Sequence, residues 1–175
     1  MKTRDITLCS LGAAIIAVLS QFTIPLGSMV PFTLQTFAIP LVSTILGGKR
    51  AFFACLIYIL IGIAGLPVFS NFSGGFQRLI SPTGGFIISF PAMGYIIGHF
   101  SEKSNNYPFN LIICLFASAI NLLSGMLFYK IITGSTYSAS FIISVYPFIF
   151  STAIKIIVSV YIAKLIKKNF LSFLE

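Results

Sequence analysis

The sequence predicts an all-α integral membrane protein with six transmembrane helices and both termini cytoplasmic. Three observations predict it. Of the 175 residues, 57% are hydrophobic and only 8% charged, with a mean hydropathy of +1.03. A soluble domain carries about 25% charged residues, so this chain has too few to cover a wetted surface. Second, six apolar segments follow one another with short connections. A bilayer core of about 30 Å needs roughly 20 apolar residues per helix, so the length fits six spans in one transmembrane domain over 1–175. Third, the basic residues fall on alternate connections, the pattern that sets membrane orientation.

In chain order, the first segment is Ile6–Ile24. Its two preceding basic residues give it a signal-peptide look, but the run has no clear small-residue cleavage site, so a retained helix is expected. Next comes the connection "PLGSMVPFTLQ". Leu34–Leu46 and Ala51–Leu66 are short for full spans and predict tilt or local thinning. Gly47–Arg50 between them reads as a turn, with two charges at an interface. The connection "GLPVFSNFSGGFQRLISPTGG" is rich in Gly, Pro and Ser and leads to Gly84–Phe100. Phe109–Ile132 and Ile142–Ile166 complete the set. "PFTLQT" and "PFIFST" each open a segment, and proline at a first helical position explains that likeness without duplication.

With the N-terminus inside, the inner segments hold Lys2, Arg4, Lys49, Arg50, Lys103, Lys164, Lys167 and Lys168. The outer ones hold Arg78 and Lys130, which leaves Lys155 within the membrane. The net charge of +8 is therefore a matter of topology rather than of nucleic-acid binding. The three acids, Asp5, Glu102 and Glu175, all fall on the inner side, out of reach of Lys155 and Arg78.

Lys155 lies near the middle of "PFIFSTAIKIIVSVYIAKL", about 15 Å of helix from either end. A charge at the bilayer centre costs at least about 2.5–3.5 kcal/mol on insertion scales. Its ammonium could snorkel to an interface, lose its proton to desolvation, or face a polar cavity and meet an anion from outside. The third reading is adopted: the missing carboxylate belongs to a ligand. Ser151, Thr152 and Ser159 share the helical face of Lys155. Hydroxyls there serve a cavity or close helix packing equally well. On the Gly-rich connection, Arg78 is a second seat for an acid or an interfacial anchor, and Asn71 is suited to an amide-like group.

Other chemistry lacks residues. The Gly-rich connection has no GK[ST] ending for a phosphate loop. His99 has no nucleophile set against it, and neither a carboxylate pair nor a metal-ligand cluster occurs. Cys9, Cys55 and Cys114 sit in or beside apolar runs without CxxC spacing and read as buried, reduced and structural. No catalytic role and no cofactor is expected. In the first segment, Ala13 and Ala17 stand four apart, a spacing that lets another helix approach closely.

Three blocks together are specific: "VPFTLQTFAIPLVSTILGGKRA" (30–51), "GLPVFSNFSGG" with "SPTGGF" (65–75 and 81–86), and "PFIFSTAIK" (147–155). Over nearly its whole length the chain resembles the BioY family, the biotin-binding substrate subunits of energy-coupling factor transporters. The resemblance implies a six-helix substrate-binding domain in the plasma membrane, with biotin near the outer face. It implies partners as well: a transmembrane coupling subunit, contacted through an AxxxA motif that Ala13 and Ala17 match, and two cytoplasmic ATPases. Biotin contacts are expected from Lys155, Thr152, Asn71, Gln35 and Arg78. The family usually carries an aspartate three residues before the lysine, where this chain has Thr152, and a tyrosine after PTGG, where it has Phe86. A hydroxyl is a weaker, uncharged acceptor for the ureido group of biotin. The exact vitamin or precursor therefore stays open. The other class of reading is a proton-coupled or stand-alone carrier of a carboxylate-bearing small molecule, with Lys155 as its titratable relay.

Overall fold

The computed structural model describes residues 2–24 and 30–174, the side chains of 170–174 excepted. Part of the first connection (25–29) and Glu175 lie outside the described residues. Seven helices account for most of the chain: α1 (Thr3–Ser20), α2 (Gln35–Leu46), α3 (Gly48–Ile63), α4 (Gly84–Lys103), α5 (Tyr107–Thr133), α6 (Tyr137–Ser144) and α7 (Tyr146–Leu174). By length and apolar character, three stretches among the described residues can cross a bilayer: Thr3–Ser20, Tyr107–Thr133 and Tyr137–Asn169, the last running through α6 into α7.

Four details differ from the sequence expectation. The first apolar segment is helical only to Ser20, and Thr23–Ile24 pairs antiparallel with Phe32–Thr33 as strands β1 and β2. These β-branched and aromatic residues suit an extended pair, and Pro31 disfavours helix at the residue before it. The reverse turn at 47–50 shrinks to one residue: Gly47 alone breaks the chain at φ +84°, and Gly48 already opens α3. Only a residue without Cβ adopts that backbone freely. The long connection before α4 carries two single 3₁₀ turns, Ser70–Phe72 and Phe76–Arg78. Finally, the last apolar segment is interrupted at Val145. Lys155 therefore lies roughly 14 Å from the start of α7 at 1.5 Å per residue, nearer one end than the run of letters implied.

Helices α3 and α4 pack closely, as do α4 and α5, α2 and α7, and α1 and α3. Small residues permit this. A Cβ on Gly98 would stand 2.5 Å from the Gly48 nitrogen, so α4 runs against the start of α3 backbone to backbone. Ala13, Ile16, Ala38, Ile39, Tyr58, Phe90 and Met93 share one buried core. The three cysteines are buried in it or beside it and are unpaired.

The connections sort to two ends. At one, Arg50 Nη2 meets Asp5 Oδ1 at 2.8 Å, and Lys167 Nζ donates to the Ser101 carbonyl at 3.3 Å. The start of α1 is thereby joined to the start of α3, and the far part of α7 to the end of α4. The β1–β2 pair, the Gly-rich connection and the start of α7 gather at the opposite end.

Candidate functional site

A narrow cavity of about 50 Å³ opens at that opposite end, between α2, α4, α5 and α7. Lys155 reaches it from α7 and is 7% exposed. Its Nζ donates to the Thr33 carbonyl at 2.8 Å and to Thr36 Oγ1 at 3.1 Å, and it lies 3.7 Å from the centre of the Phe32 ring. All three partners are neutral. No acidic side chain among the described residues lines the cavity. A ring face over a desolvated ammonium contributes up to about 2 kcal/mol. Carbonyl and hydroxyl dipoles replace a further part of what hydration would have given.

Of the polar stripe on α7, one hydroxyl is unspent. Ser151 Oγ donates to the Phe148 carbonyl at 3.0 Å and Ser159 Oγ to the Ile156 carbonyl at 2.9 Å, both satisfied within their own helix. Thr152 is 4% exposed, lines the cavity, and its Oγ1 has no hydrogen-bond partner among the described residues. A buried unpartnered hydroxyl costs about 1–3 kcal/mol, so it marks a place where a partner would be welcome.

Gln35 is the third polar wall residue. Its Nε2 donates to Tyr58 Oη at 2.7 Å and its Oε1 accepts from Thr33 Oγ1 at 3.0 Å. Tyr58 in turn packs edge-on against Phe69, ring centres 5.4 Å apart. The amide is thus held at a fixed orientation by Thr33 at the end of β2 and Tyr58 of α3. Phe86, Ile87, Phe90, Leu122 and Phe148 form the apolar remainder of the wall. The arrangement offers one cation, one free hydroxyl and one oriented amide against a hydrocarbon surface. It can hold an anionic group at one point and hydrogen-bonding groups at others, with apolar atoms between.

The structure brings Lys155, Thr152 and Gln35 together. Asn71 and Arg78 do not line the cavity, although Ser70 beside Asn71 does. Asn71 is exposed, in the left-handed region at φ 59°, where asparagine is tolerated better than most residues. Arg78 ends the second 3₁₀ turn and is half buried. Sequence reasoning missed Phe32, Thr36 and the Thr33 carbonyl as partners of Lys155. Their signal was adjacency to Gln35 in "PFTLQT", but a main-chain acceptor and a ring face leave no trace in residue type. On α1, Ala13 is buried in the chain's own core at 2% exposure, and Ala17 is half buried against it.

The BioY family model matches residues 1–172. A protein from Lactococcus lactis subsp. cremoris named "Biotin transporter BioY2" is 42% identical over 158 residues, covering 89% of this chain and 86% of its own. One from Pyrococcus horikoshii, "Probable biotin transporter BioY", is 34% identical over 169 residues, 97% and 99% of the two chains. Among solved structures, a crystal structure described as the S-component for biotin from an ECF-type ABC transporter superposes with a TM-score of 0.88. It is 27% identical in sequence, with 95% of this chain and 92% of that one covered.

Proposed function

The chain belongs to the BioY family, and on that premise we propose that it is the substrate-binding membrane subunit of a biotin uptake transporter of the energy-coupling factor type. It is a transport protein and not an enzyme. One observation carries the assignment of the site: a buried ammonium whose held partners are all neutral, beside a buried hydroxyl with no partner. Biotin supplies what both lack, a carboxylate for Lys155 and cyclic-urea groups for Thr152 and the Gln35 amide. Its hydrocarbon parts suit the wall formed by Phe86, Phe90 and Phe148. Asn71 and Arg78 belong to the same reading only as rim residues of the Gly-rich connection.

A cavity of about 50 Å³ is well short of the roughly 150 Å³ in which a guest as small as benzene is held, so it is too small for a ligand of biotin's size. Ligand entry therefore requires the Phe32 ring and its neighbours to swing off Lys155. The ring face is then exchanged for a carboxylate, and charge pairing in a dry site outweighs a quadrupole contact.

In this reading the site faces the outer side of the plasma membrane, α2, α3 and α4 span it with the three longer stretches, and both termini are cytoplasmic. Eight basic residues at the other end support that orientation. Energy comes from two ATPases through a transmembrane coupling subunit that docks on α1, where Ala17 is the member of the Ala13/Ala17 pair that reaches the surface. The test is mass spectrometry of the small molecule retained after native purification, followed by titration calorimetry. Biotin retained and rebound supports the reading. A different carboxylate retained, with biotin failing to displace it, overturns the ligand.

A further inference from the structure

Two features outside the biotin site adjoin each other at the opposite end of the bundle. A groove of about 490 Å³ runs between α1, α2 and α7, walled by Leu11, Ile15, Leu41, Ile45 and Ile166. Beside it, a cavity of about 180 Å³ between α2, α5 and α7 is walled by Thr44, Asn110, Lys164, Lys167 and Lys168. Asn105 and Lys167 line both, so the apolar groove and the basic chamber adjoin across these two side chains.

Among the described residues Glu102 acts electrostatically on Lys167, and the direct contacts of these lysines are weak and neutral. Lys167 Nζ lies 3.3 Å from the Ser101 carbonyl and 3.5 Å from Asn105 Oδ1. Lys164 Nζ stands 6.0 Å over the Tyr107 ring, and Lys168 is exposed. Arg4 and Arg50 stand at the groove, where Asp5 neutralises Arg50 alone, and Glu102 is the other described acid at this end. A second observation points to a ligand with a donor. Asn110 is 4% exposed; its Nδ2 donates to the Ser104 carbonyl at 3.0 Å, while its Oδ1 has no partner among the described residues.

We propose that this composite site holds an anionic phospholipid of the phosphatidylglycerol type, its acyl chain in the α1–α2–α7 groove and its phosphate among Lys164, Lys167 and Lys168. Basic pockets between membrane helices on the inner side bind anionic headgroups in this way. The adjoining groove, walled mostly by leucine and isoleucine, selects a lipid over a soluble anion. The headgroup hydroxyls supply the donor that Asn110 Oδ1 lacks.

The test is native mass spectrometry of the full chain purified from nanodiscs of equimolar phosphatidylglycerol and phosphatidylcholine. Retained lipid should be phosphatidylglycerol over phosphatidylcholine by about tenfold or more. Lys164→Gln/Lys167→Gln/Lys168→Gln should remove that preference while biotin titration stays unchanged. Should the triple variant fold poorly, each single substitution is expected to lower the preference stepwise. Equal retention of both lipids by the parent chain overturns the proposal, as does undiminished preference in the triple variant. So does displacement of the lipid by soluble glycerol phosphate, which would make this a site for free anions.

Discussion

The ammonium of Lys155 sits 2.8 Å from the main-chain carbonyl of Thr33, a residue 122 positions earlier in the chain. That bond ties the helix carrying the cation to the β1–β2 pair that roofs the site. Ligand binding and roof position are therefore linked through one atom.

Replacing Lys155 by Met should separate stability from binding. The apolar stem keeps most of the packing, and the variant no longer buries a charge that only dipoles and a ring offset. The thermal midpoint of the ligand-free protein should hold or rise. Biotin affinity, read by calorimetry, should fall well over tenfold, because the carboxylate then enters a dry site without a cation. Equal affinity would remove Lys155 from the site.

Thr152 tests the orphan hydroxyl. Thr152→Val keeps the shape and deletes a buried group that has no partner in the ligand-free protein. Stability without ligand should rise by about 1 kcal/mol, since the unmet desolvation cost disappears. Biotin affinity should drop by about threefold to tenfold, the worth of one neutral hydrogen bond. Thr152→Asp should tighten binding instead, since a charged acceptor is roughly twice as strong. Loss of binding in both variants would mean that the position serves packing.

How far the sequence could be read follows from what each feature depends on. The helices were legible because apolar composition and basic-residue placement are local properties. The short pair at Thr23–Ile24 and Phe32–Thr33 was not, since an antiparallel register depends on two segments meeting. Of the site, Lys155 and Thr152 were legible from their spacing on one helix, and Gln35 from its place in a specific block. Asn71 was chosen for its amide, yet its backbone is what the fold uses, at φ 59°. The break at Val145 was hidden because the residues on both sides are equally apolar.

Gly98 should tolerate no side chain. Its missing Cβ faces the Gly47–Gly48 backbone, which cannot rotate away as a side-chain end could. Gly98→Ala must push α4 off α3, at a cost typical of overpacking, about 1–3 kcal/mol. The thermal midpoint should fall, with biotin affinity of the folded fraction little changed because the site lies at the other end. An unchanged midpoint would show that the α3–α4 contact is looser than described.

The alanines on α1 make opposite predictions, and their burial decides which. Ala13 is 2% exposed among the core residues of α1, α2, α3 and α4. Ala17 is half buried on the same helix. A tryptophan at Ala13 has no space within the chain, so Ala13→Trp should lose biotin binding along with assembly on the coupling subunit, through failure to fold. At Ala17 the bulk can turn toward the lipid face. Ala17→Trp should leave biotin titration of the isolated protein intact within about threefold while blocking a partner helix that needs close approach. Co-purification with the coupling subunit and calorimetry, run on both variants, separate the two roles. Retained assembly in Ala17→Trp would move the docking surface elsewhere on α1, toward the exposed Leu11 and Val18.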